Sequence, residues 1–480
     1  MTTLSVPPAA AGASSATSAT AAAGGDLAPA TSRARRDEAA RLGAGLALWA
    51  SLLLVTYWWV ADGGVRSVTD LASLAMSAGR WTGLAGSVLL LAQVLLMARL
   101  PILEGPFGQD RLARLHRTIG FTSFSLVMVH LATITLGYAG GRLLATPGML
   151  WDLTWSYPGM LLAAAGTLCL VMVVVTSVRA ARKRLRYESW HLLHLYAYLG
   201  VGLALPHQLW TGEQFTASPL RTAFWWTTWI LAAGAVVVWR VLRPVAVNLR
   251  HALRVTSVVP EATGTWSIYV TGRRLDRLRA EPGQFFNWRF LGAPGASRAH
   301  PYSLSAAPDG QSLRITVAAA GDDSALTPAI RPGSRVLVEG PYGRLSPRAR
   351  QARKVAFIGA GVGMTPLRSL LEGLAYAPGE AVYLERYHQQ PLFAAEVDTI
   401  ARERGASVVR LPGRRRAAGS WLPPLSAPVD DASALLAWIP DVAERDVYVC
   451  GPAAWTDLVR GTLSRVGLPE SRLHVENFEW

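Results

Sequence analysis

From residue 43 to residue 242 the chain falls into long apolar runs, at 43–61, 80–98, 115–137, 158–178, 190–209 and 223–242. Each is of the length at which a helix crosses the hydrocarbon layer of a bilayer. Past Arg243 and Pro244 the period shortens. Runs such as "LRVTSVVP", "TWSIYVTG", "LRITVAAA" and "SRVLVEG" are short strands between turn residues, the spacing of a small antiparallel β-barrel. A second pattern begins near residue 352, where the strand-like "KVAFIGA" runs through glycines into the helical "MTPLRSLL", the start of a Rossmann-like α/β nucleotide-binding unit. Ahead of all this, "AAAGASSATSATAAAGG" has too few large apolar side chains to offset chain entropy. The pattern therefore predicts a multi-domain chain: a disordered leader over 1–42, a six-helix transmembrane bundle over 43–243, an antiparallel β-barrel over 250–347, and an α/β unit over 352–480.

Charge changes the picture of the first half. Lys and Arg number 47 against 32 Asp and Glu, a formal net charge of +15. Nucleic acid is one partner such an excess suggests, but the basic residues sit in alternate loops. Arg33, Arg35, Arg36 and Arg41 precede the first run; Arg99, Arg111 and Arg114 lie between the second and third. "RAARKRLR" separates the fourth from the fifth, and Arg240, Arg243, Arg250 and Arg254 close the sixth. The other loops hold almost no Lys or Arg and are marked by Trp58, Trp59, Trp151, Trp155 and Trp210. By the positive-inside rule both ends of the bundle face the cytoplasm. This is a multi-pass cell-membrane protein whose partner is the lipid bilayer and not nucleic acid. A cleavable signal peptide is not expected, since no compact apolar core follows a basic start before the cluster Arg33 to Arg41.

Cys169 and Cys450 are the two cysteines, far apart. They exclude a four-cysteine iron–sulfur or zinc site within the chain. Redox chemistry would need another cofactor, and histidines in the apolar runs supply candidates. Ionisable side chains inside a membrane are costly and usually face a partner. His116 and His130 lie fourteen residues apart in the third run, hence about 40° apart on one helix face and about 21 Å apart along its axis. In the fifth run His194 and His207 are thirteen apart, which on a regular helix means about 140°. Pro206 directly before His207 kinks the helix and can re-aim that ring. The two runs point the same way, so His116 matches His194 in depth, and His130 matches His207. Paired imidazoles on facing helices suit the axial ligation of a b-type haem, and two such haems would relay electrons across the membrane. Singly, each histidine also fits a hydrogen-bonded packing role. His191 lies three residues before His194; it either contacts a haem propionate or the headgroup region, or replaces His194 as ligand.

The H-x13-H of the third run and the H-x12-H of the fifth resemble the ferric reductase transmembrane family, which includes NADPH oxidases and yeast-type ferric reductases. The resemblance implies that His116, His130, His194 and His207 are the ligands of two b-type haems. "HPYSLSAAP" resembles the flavin signature R-x-Y-[ST] of the ferredoxin-NADP reductase family, in its H-P-[FY]-[ST] form. By that resemblance FAD is bound over His300, Pro301, Tyr302 and Ser303. Tyr302 packs on the isoalloxazine, Ser303 hydrogen-bonds near N5, and His300 stands where an arginine commonly meets the pyrophosphate. Gly321 and Ser324 in "GDDSAL" fall where the family lays backbone and a hydroxyl against that pyrophosphate, and Ala318 stands where a basic residue is usual. In "GAGVGMTP", Gly359, Gly361 and Gly363, with Thr365 and Pro366, let backbone and a helix N-terminus meet a dinucleotide pyrophosphate. Cys450, Gly451 and Pro452 of "DVYVCGPAAW" sit near the nicotinamide in this family; Cys450 also fits a buried small apolar residue. Arg414, Arg415 and Arg416 either clasp a 2′-phosphate, favouring NADPH over NADH, or form a solvated basic loop. The family often ends in an aromatic residue over the flavin, here Trp480 or Phe478.

The resemblance implies a flavohaem oxidoreductase carrying electrons from cytoplasmic NAD(P)H through FAD and two haems to an acceptor at the outer face. A ferric chelate is the leading acceptor; oxygen reduced to superoxide, a quinone, or an extracytoplasmic redox protein are alternatives. A non-catalytic haem-binding assembly subunit is the reading from another class, and His300 and Ala318 speak for it. No GxxxxGK[ST] occurs, so phosphate-loop kinase chemistry is unsupported.

Overall fold

The structure is a computed structural model describing residues 28–182, 184–185, 187–293, 298–319, 329–425 and 429–477. Its first half is helical: α1 (Ala28–Ala61), α2 (Leu71–Met97), α3 (Pro101–Phe107), α4 (Gln109–Tyr138), α5 (Thr146–Ser156), α6 (Met160–Ser177), α7 (Arg179–Arg182), α8 (Tyr187–Leu203), α9 (Leu205–Trp210), α10 (Glu213–Thr216), α11 (Pro219–Ala235) and α12 (Arg243–His251). A π-helical stretch, Val236–Leu242, joins the last two. Among the described residues five helices are long and apolar enough to cross a membrane: Arg35–Ala61, Leu71–Met97, Arg111–Tyr138, Met160–Ser177 and Pro219–His251. The expected fifth crossing, 190–209, is instead two pieces, α8 and α9, that meet at Ala204. Pro206 has no N–H for the carbonyl one turn back, so a continuous helix cannot pass it unbroken.

α1 corrects the extent of the leader. Residues 28–42, expected to be unstructured, are helical. Alanines favour the helix, and Asp37, 6% exposed, is tied to Arg348 far along the chain by an ion pair of 2.5 Å. Farther along α1, Leu46, Trp49, Leu53, Tyr57 and Val60 recur every three or four residues and are 47–69% exposed. One apolar face of the helix thus lies bare on the protein, as a lipid-facing helix requires.

The second half contains two β architectures. Strands β1 (Arg254–Ala262), β2 (Thr265–Thr271) and β5 (Ser312–Ala318) form one antiparallel sheet in the order β1-β2-β5. Strands β3 (Phe285–Phe290), β4 (His300–Ser303) and β6 (Val336–Tyr342) form another in the order β4-β3-β6. Bridges Arg254–Arg335 and Leu304–Ile315 link the sheets, and alternate residues such as Ile268, Val270, Phe286, Trp288, Ile315 and Val338 fill one shared core. Beyond it, β7 (Val355–Ala360), β8 (Ala381–Tyr387), β9 (Ser407–Pro412), β10 (Asp446–Gly451) and β11 (Leu473–Asn477) make a parallel sheet in the order β11-β10-β7-β8-β9. Every residue of β7 and β10 is buried, because helices α13 (Met364–Gly373), α14 (Ala394–Arg404), α15 (Asp431–Trp438) and α16 (Ala453–Arg465) cover both faces. The strand order reverses between β7 and β10, the place where open α/β sheets take ligands at the strands' carboxyl ends.

Candidate functional site

The histidine pairs are built by glycines. α2 starts at a capping box, in which Asp70 accepts from the Ser73 N–H at 2.8 Å. It then presents Gly79, Gly83 and Gly86, roughly one and two turns apart, to α4. A Cβ on Gly79 would lie 2.6 Å from Ile134, and one on Gly83 would lie 2.6 Å from His130 Nδ1. Only glycine permits this approach, and it brings His130 Nδ1 within 2.8 Å of the Gly79 carbonyl. One end lower, His116 Nδ1 is 3.3 Å from the Gln93 carbonyl. α6 and α8 are joined likewise: a Cβ on Gly166 would sit 2.6 Å from the Gly200 carbonyl. Across from His116, His194 Nδ1 is 3.3 Å from Ser177 Oγ.

The His116 and His194 rings are 6.0 Å apart between centroids, at 68°. Two imidazoles facing one metal from opposite sides, each with its nitrogen about 2 Å away, have that separation. His207 lies within electrostatic reach of His130, held there by the helix break and by Gly159, where a Cβ would come 2.8 Å from the His207 backbone nitrogen. The Nδ1 atoms of His116 and His130 face carbonyl acceptors, which leaves Nε2 as the atom for a metal; this is how metal-bound histidines are usually oriented. His207 Nδ1 is buried with no hydrogen-bond partner among the described residues. The donor set fits two bis-histidine haems. No cluster of three or more His, Cys, Asp or Glu side chains that could hold a metal occurs among the described residues. His191 lies within electrostatic reach of Arg240, Arg289 and Glu339, a charged setting at the bundle's end.

At the flavin signature, β4 lies at a sheet edge and Ser303 pairs in register with Phe285. Ser303 is 4% exposed and its hydroxyl has no hydrogen-bond partner among the described residues. An unsatisfied buried hydroxyl is expensive, and a ring nitrogen of a flavin would satisfy it. His300 and Tyr302 stack at 5.8 Å and 16°, while the Tyr302 carbonyl accepts from Trp288 Nε1 at 2.9 Å. Gly321, Ser324, Phe478 and Trp480 lie outside the described residues.

In the nucleotide crevice, Gly359 on β7 is the register partner of Cys450 on β10, so the glycine turn and the Cys450-Gly451-Pro452 segment lie side by side. Gly361 has φ +58°, a left-handed conformation that favours glycine. A Cβ on Gly363 would meet the Cys450 backbone carbon at 2.6 Å. Thr365 is buried and donates its hydroxyl to the Val362 carbonyl at 2.9 Å. Its role is to close the turn ahead of Pro366. Burial, and then the Glu476 carboxylate, push the Cys450 thiol well above its ordinary range, so it stays a neutral thiol.

The arginine trio separates. Arg416 is consumed by Asp431 Oδ1 at 2.6 Å, the Val429 carbonyl at 2.6 Å and Ser420 Oγ at 3.0 Å. Arg414 Nε donates to His388 Nε2 at 2.9 Å. Arg386 donates to the Gly413 carbonyl at 3.0 Å, and burial together with Arg415 lowers its affinity for its proton. Arg386 and His388 therefore join Arg414 and Arg415 at the end of β8. The sequence carried a signal for them, basic residues just past a parallel strand. Glu476 is also missing from the sequence-derived set. It is the register partner of Cys450, and its Oε1 would lie 3.2 Å from a Cβ on Gly343.

Known proteins match both halves of this picture. A family model described as "Ferric reductase like transmembrane component" matches residues 82–205. The ferredoxin–NAD(+) reductase component of the alkene monooxygenase system of Xanthobacter autotrophicus is 33% identical over 240 residues, 48% of this chain and 70% of that protein. The ferredoxin reductase component of 3-ketosteroid-9-alpha-monooxygenase from Rhodococcus rhodochrous is 29% identical over 235 residues, 47% of this chain and 64% of that protein. A superoxide-generating NADPH oxidase heavy chain of Dictyostelium discoideum is 23% identical over 231 residues, 43% of this chain and 41% of that protein. The match thus spans less than two thirds of the last two proteins. Among solved structures, the flavohem-like FAD/NAD binding domain of nitric oxide dioxygenase from Vibrio cholerae aligns with a TM-score of 0.38 at 22% identity, over 47% of this chain and 98% of that one.

Proposed function

We propose, from the premise that this chain belongs to the ferredoxin–NAD(P) reductase-type flavoproteins and carries a ferric reductase-like transmembrane component, that it moves electrons from NAD(P)H across the cell membrane. The path runs from the cytoplasmic α/β unit, residues 352–480, through the β unit, 250–347, to the helical unit, 43–243, with α8 and α9 together making the fifth of six crossings. Two histidine pairs at two depths, in front of a nucleotide crevice, carry the reading. Bound FAD would turn a hydride's electron pair into single electrons, and two b-type haems would pass these to the outer face.

The chain's residues hold and orient. The glycine turn and α13 approach the dinucleotide pyrophosphate, and Arg386, His388, Arg414 and Arg415 meet a 2′-phosphate, which favours NADPH. Cys450 and Glu476 flank the nicotinamide. Ser303 donates to the flavin, and Tyr302 and His300 pack beside it. His116 with His194, and His130 with His207, hold the inner and outer iron. The acceptor is a ferric chelate, the alternatives being oxygen, a quinone or a redox protein.

The test is an absorbance spectrum of purified membranes before and after NADPH. Reduction of a b-type haem within seconds supports the path. Haem that only dithionite reduces would sink it and leave the assembly-subunit reading standing, and membranes without haem absorbance would sink both.

A further inference from the structure

Beside the Asp37–Arg348 ion pair, the β unit meets the helical unit along β6, the edge strand of its sheet. An edge strand exposes unpaired backbone groups, and here the chain leaving the membrane covers them. Asn248 on α12 donates from Nδ2 to the Val338 carbonyl at 2.8 Å and accepts from the Val338 N–H at 2.8 Å. The side-chain amide thus imitates a neighbouring strand. Two residues earlier, the Val336 N–H donates to the Leu253 carbonyl at 2.9 Å.

Charged groups continue the seam. Arg240 lies 3.4 Å from Glu339 on β6, and Arg99 from the α2–α3 turn lies 3.9 Å from the same carboxylate. The Arg99 guanidinium also sits 4.2 Å over the Tyr342 ring, and the Tyr342 hydroxyl donates to Glu339 at 2.8 Å. Two irregularities in the helices make this possible. Arg99 has φ +64°, a left-handed conformation unfavourable for a non-glycine residue, which marks an imposed turn. Arg240 and Asn248 would be about 80° apart on a regular α-helix. The π-helical stretch over Val236–Leu242 packs an extra residue into the turn and closes that angle, so both reach β6. Its cause is local: Pro244 lacks the N–H that would bond the Arg240 carbonyl.

The seam lies two strands from the flavin signature. Phe285 on β3 pairs in register with Tyr342 on one side and Ser303 on the other, and the Phe285 and Tyr342 rings are 5.8 Å apart. We infer that Asn248, Glu339, Arg240 and Arg99 are positioning residues for electron passage from the flavin to the inner histidine pair. They set where β6, and with it Ser303, stands over the membrane helices. The inference rests on the electron path proposed above, and it makes the seam a determinant of one step only. A misplacement of about 1 Å remote from the chemistry can slow a positioned reaction by about a hundredfold.

The experiment uses the full chain as wild type, Asn248→Ala and Glu339→Gln, with two readouts. Hydrogen exchange of the β6 amides reports the seam without any electron transfer. Stopped-flow mixing with NADPH then follows flavin and haem absorbance separately. The expected result is β6 exchange faster by about tenfold, the loss of one such hydrogen bond, with flavin reduction at the wild-type rate and haem reduction slowed by at least as much. Haem reduction at the wild-type rate despite faster β6 exchange would overturn the inference, as would unchanged exchange in both variants. A wild-type chain whose haem NADPH does not reduce would refute the electron path itself, and the exchange data would still report on the seam.

Discussion

Glu385 gives the most quantitative prediction. It is 1% exposed on β8, and burial pushes its carboxyl from the ordinary 4.5 up to about 7. The Leu392 N–H, 2.8 Å from Oε1, and Arg410, 3.9 Å from Oε2, pull the other way without offsetting it. Oε2 has no hydrogen-bond partner among the described residues. The folded state thus holds this proton more tightly than the unfolded chain does. Its contribution to stability is complete below pH 4.5, decays as pH rises through the window from 4.5 to about 7, and is gone above it. At 1.36 kcal/mol per unit, the swing is roughly 3 kcal/mol. Glu385→Gln keeps an acceptor for the Leu392 N–H and has nothing to ionise. Native-state hydrogen exchange in β8 is the assay, wild type against variant, near pH 5 and near pH 8. The two proteins should exchange at similar rates at the lower pH, and the variant should be roughly a hundredfold more protected at the higher one. A variant-to-wild-type ratio that is the same at both pH values would refute the reasoning.

Gly83→Val should remove the outer haem and leave the inner one, since a Cβ there would lie 2.6 Å from His130 Nδ1; reduced-minus-oxidised spectra that keep both haems contradict the two-depth arrangement. Ser303→Ala should retain FAD and slow flavin reduction by about tenfold, the worth of one hydrogen bond, and an unchanged rate would remove Ser303 from the reaction. Arg414→Ala should raise KM for NADPH by about tenfold and leave KM for NADH nearly unaltered. Arg416→Ala should instead lower the melting temperature with no change of cofactor preference, because it removes the cation paired with Asp431, whose side chain is 7% exposed; steady-state kinetics with both nucleotides separates the two.

Which features the sequence revealed follows from how local their causes are. Long apolar helices and glycine turns are written into consecutive residues, so the runs around α2, α4 and α6 and the Gly359–Gly363 turn were legible as patterns. The His116–His194 juxtaposition was legible too, because depth along a helix is a matter of counting. Pro206 announced a break but not its size, and α8 and α9 are each too short to cross the membrane as a single helix. The helical start of α1 was hidden, because its anchor, Arg348, is more than three hundred residues away. The same limit governs the arginine trio. Three adjacent residues look alike in sequence, and only the fold shows that Arg416 is spoken for by Asp431 while Arg414 turns to His388.

The helical unit orients its histidines through groups that belong to other helices. Gly79 and Gln93 on α2 hold His130 and His116 on α4, and Ser177 on α6 holds His194 on α8. A glycine-closed neighbour, α2 for α4 and α6 for α8, therefore orients each ring it touches. Loss of packing in either pair would cost ligand orientation before it cost the helix. His207 has no such neighbour bond; it is placed by the backbone, through the break at Ala204 and the close approach of Gly159. The His130–His207 pair thus joins one imidazole held from another helix to one held from within its own segment. On the proposed two-haem reading, the His130–His207 site should be the first to lose its haem as the protein is destabilised.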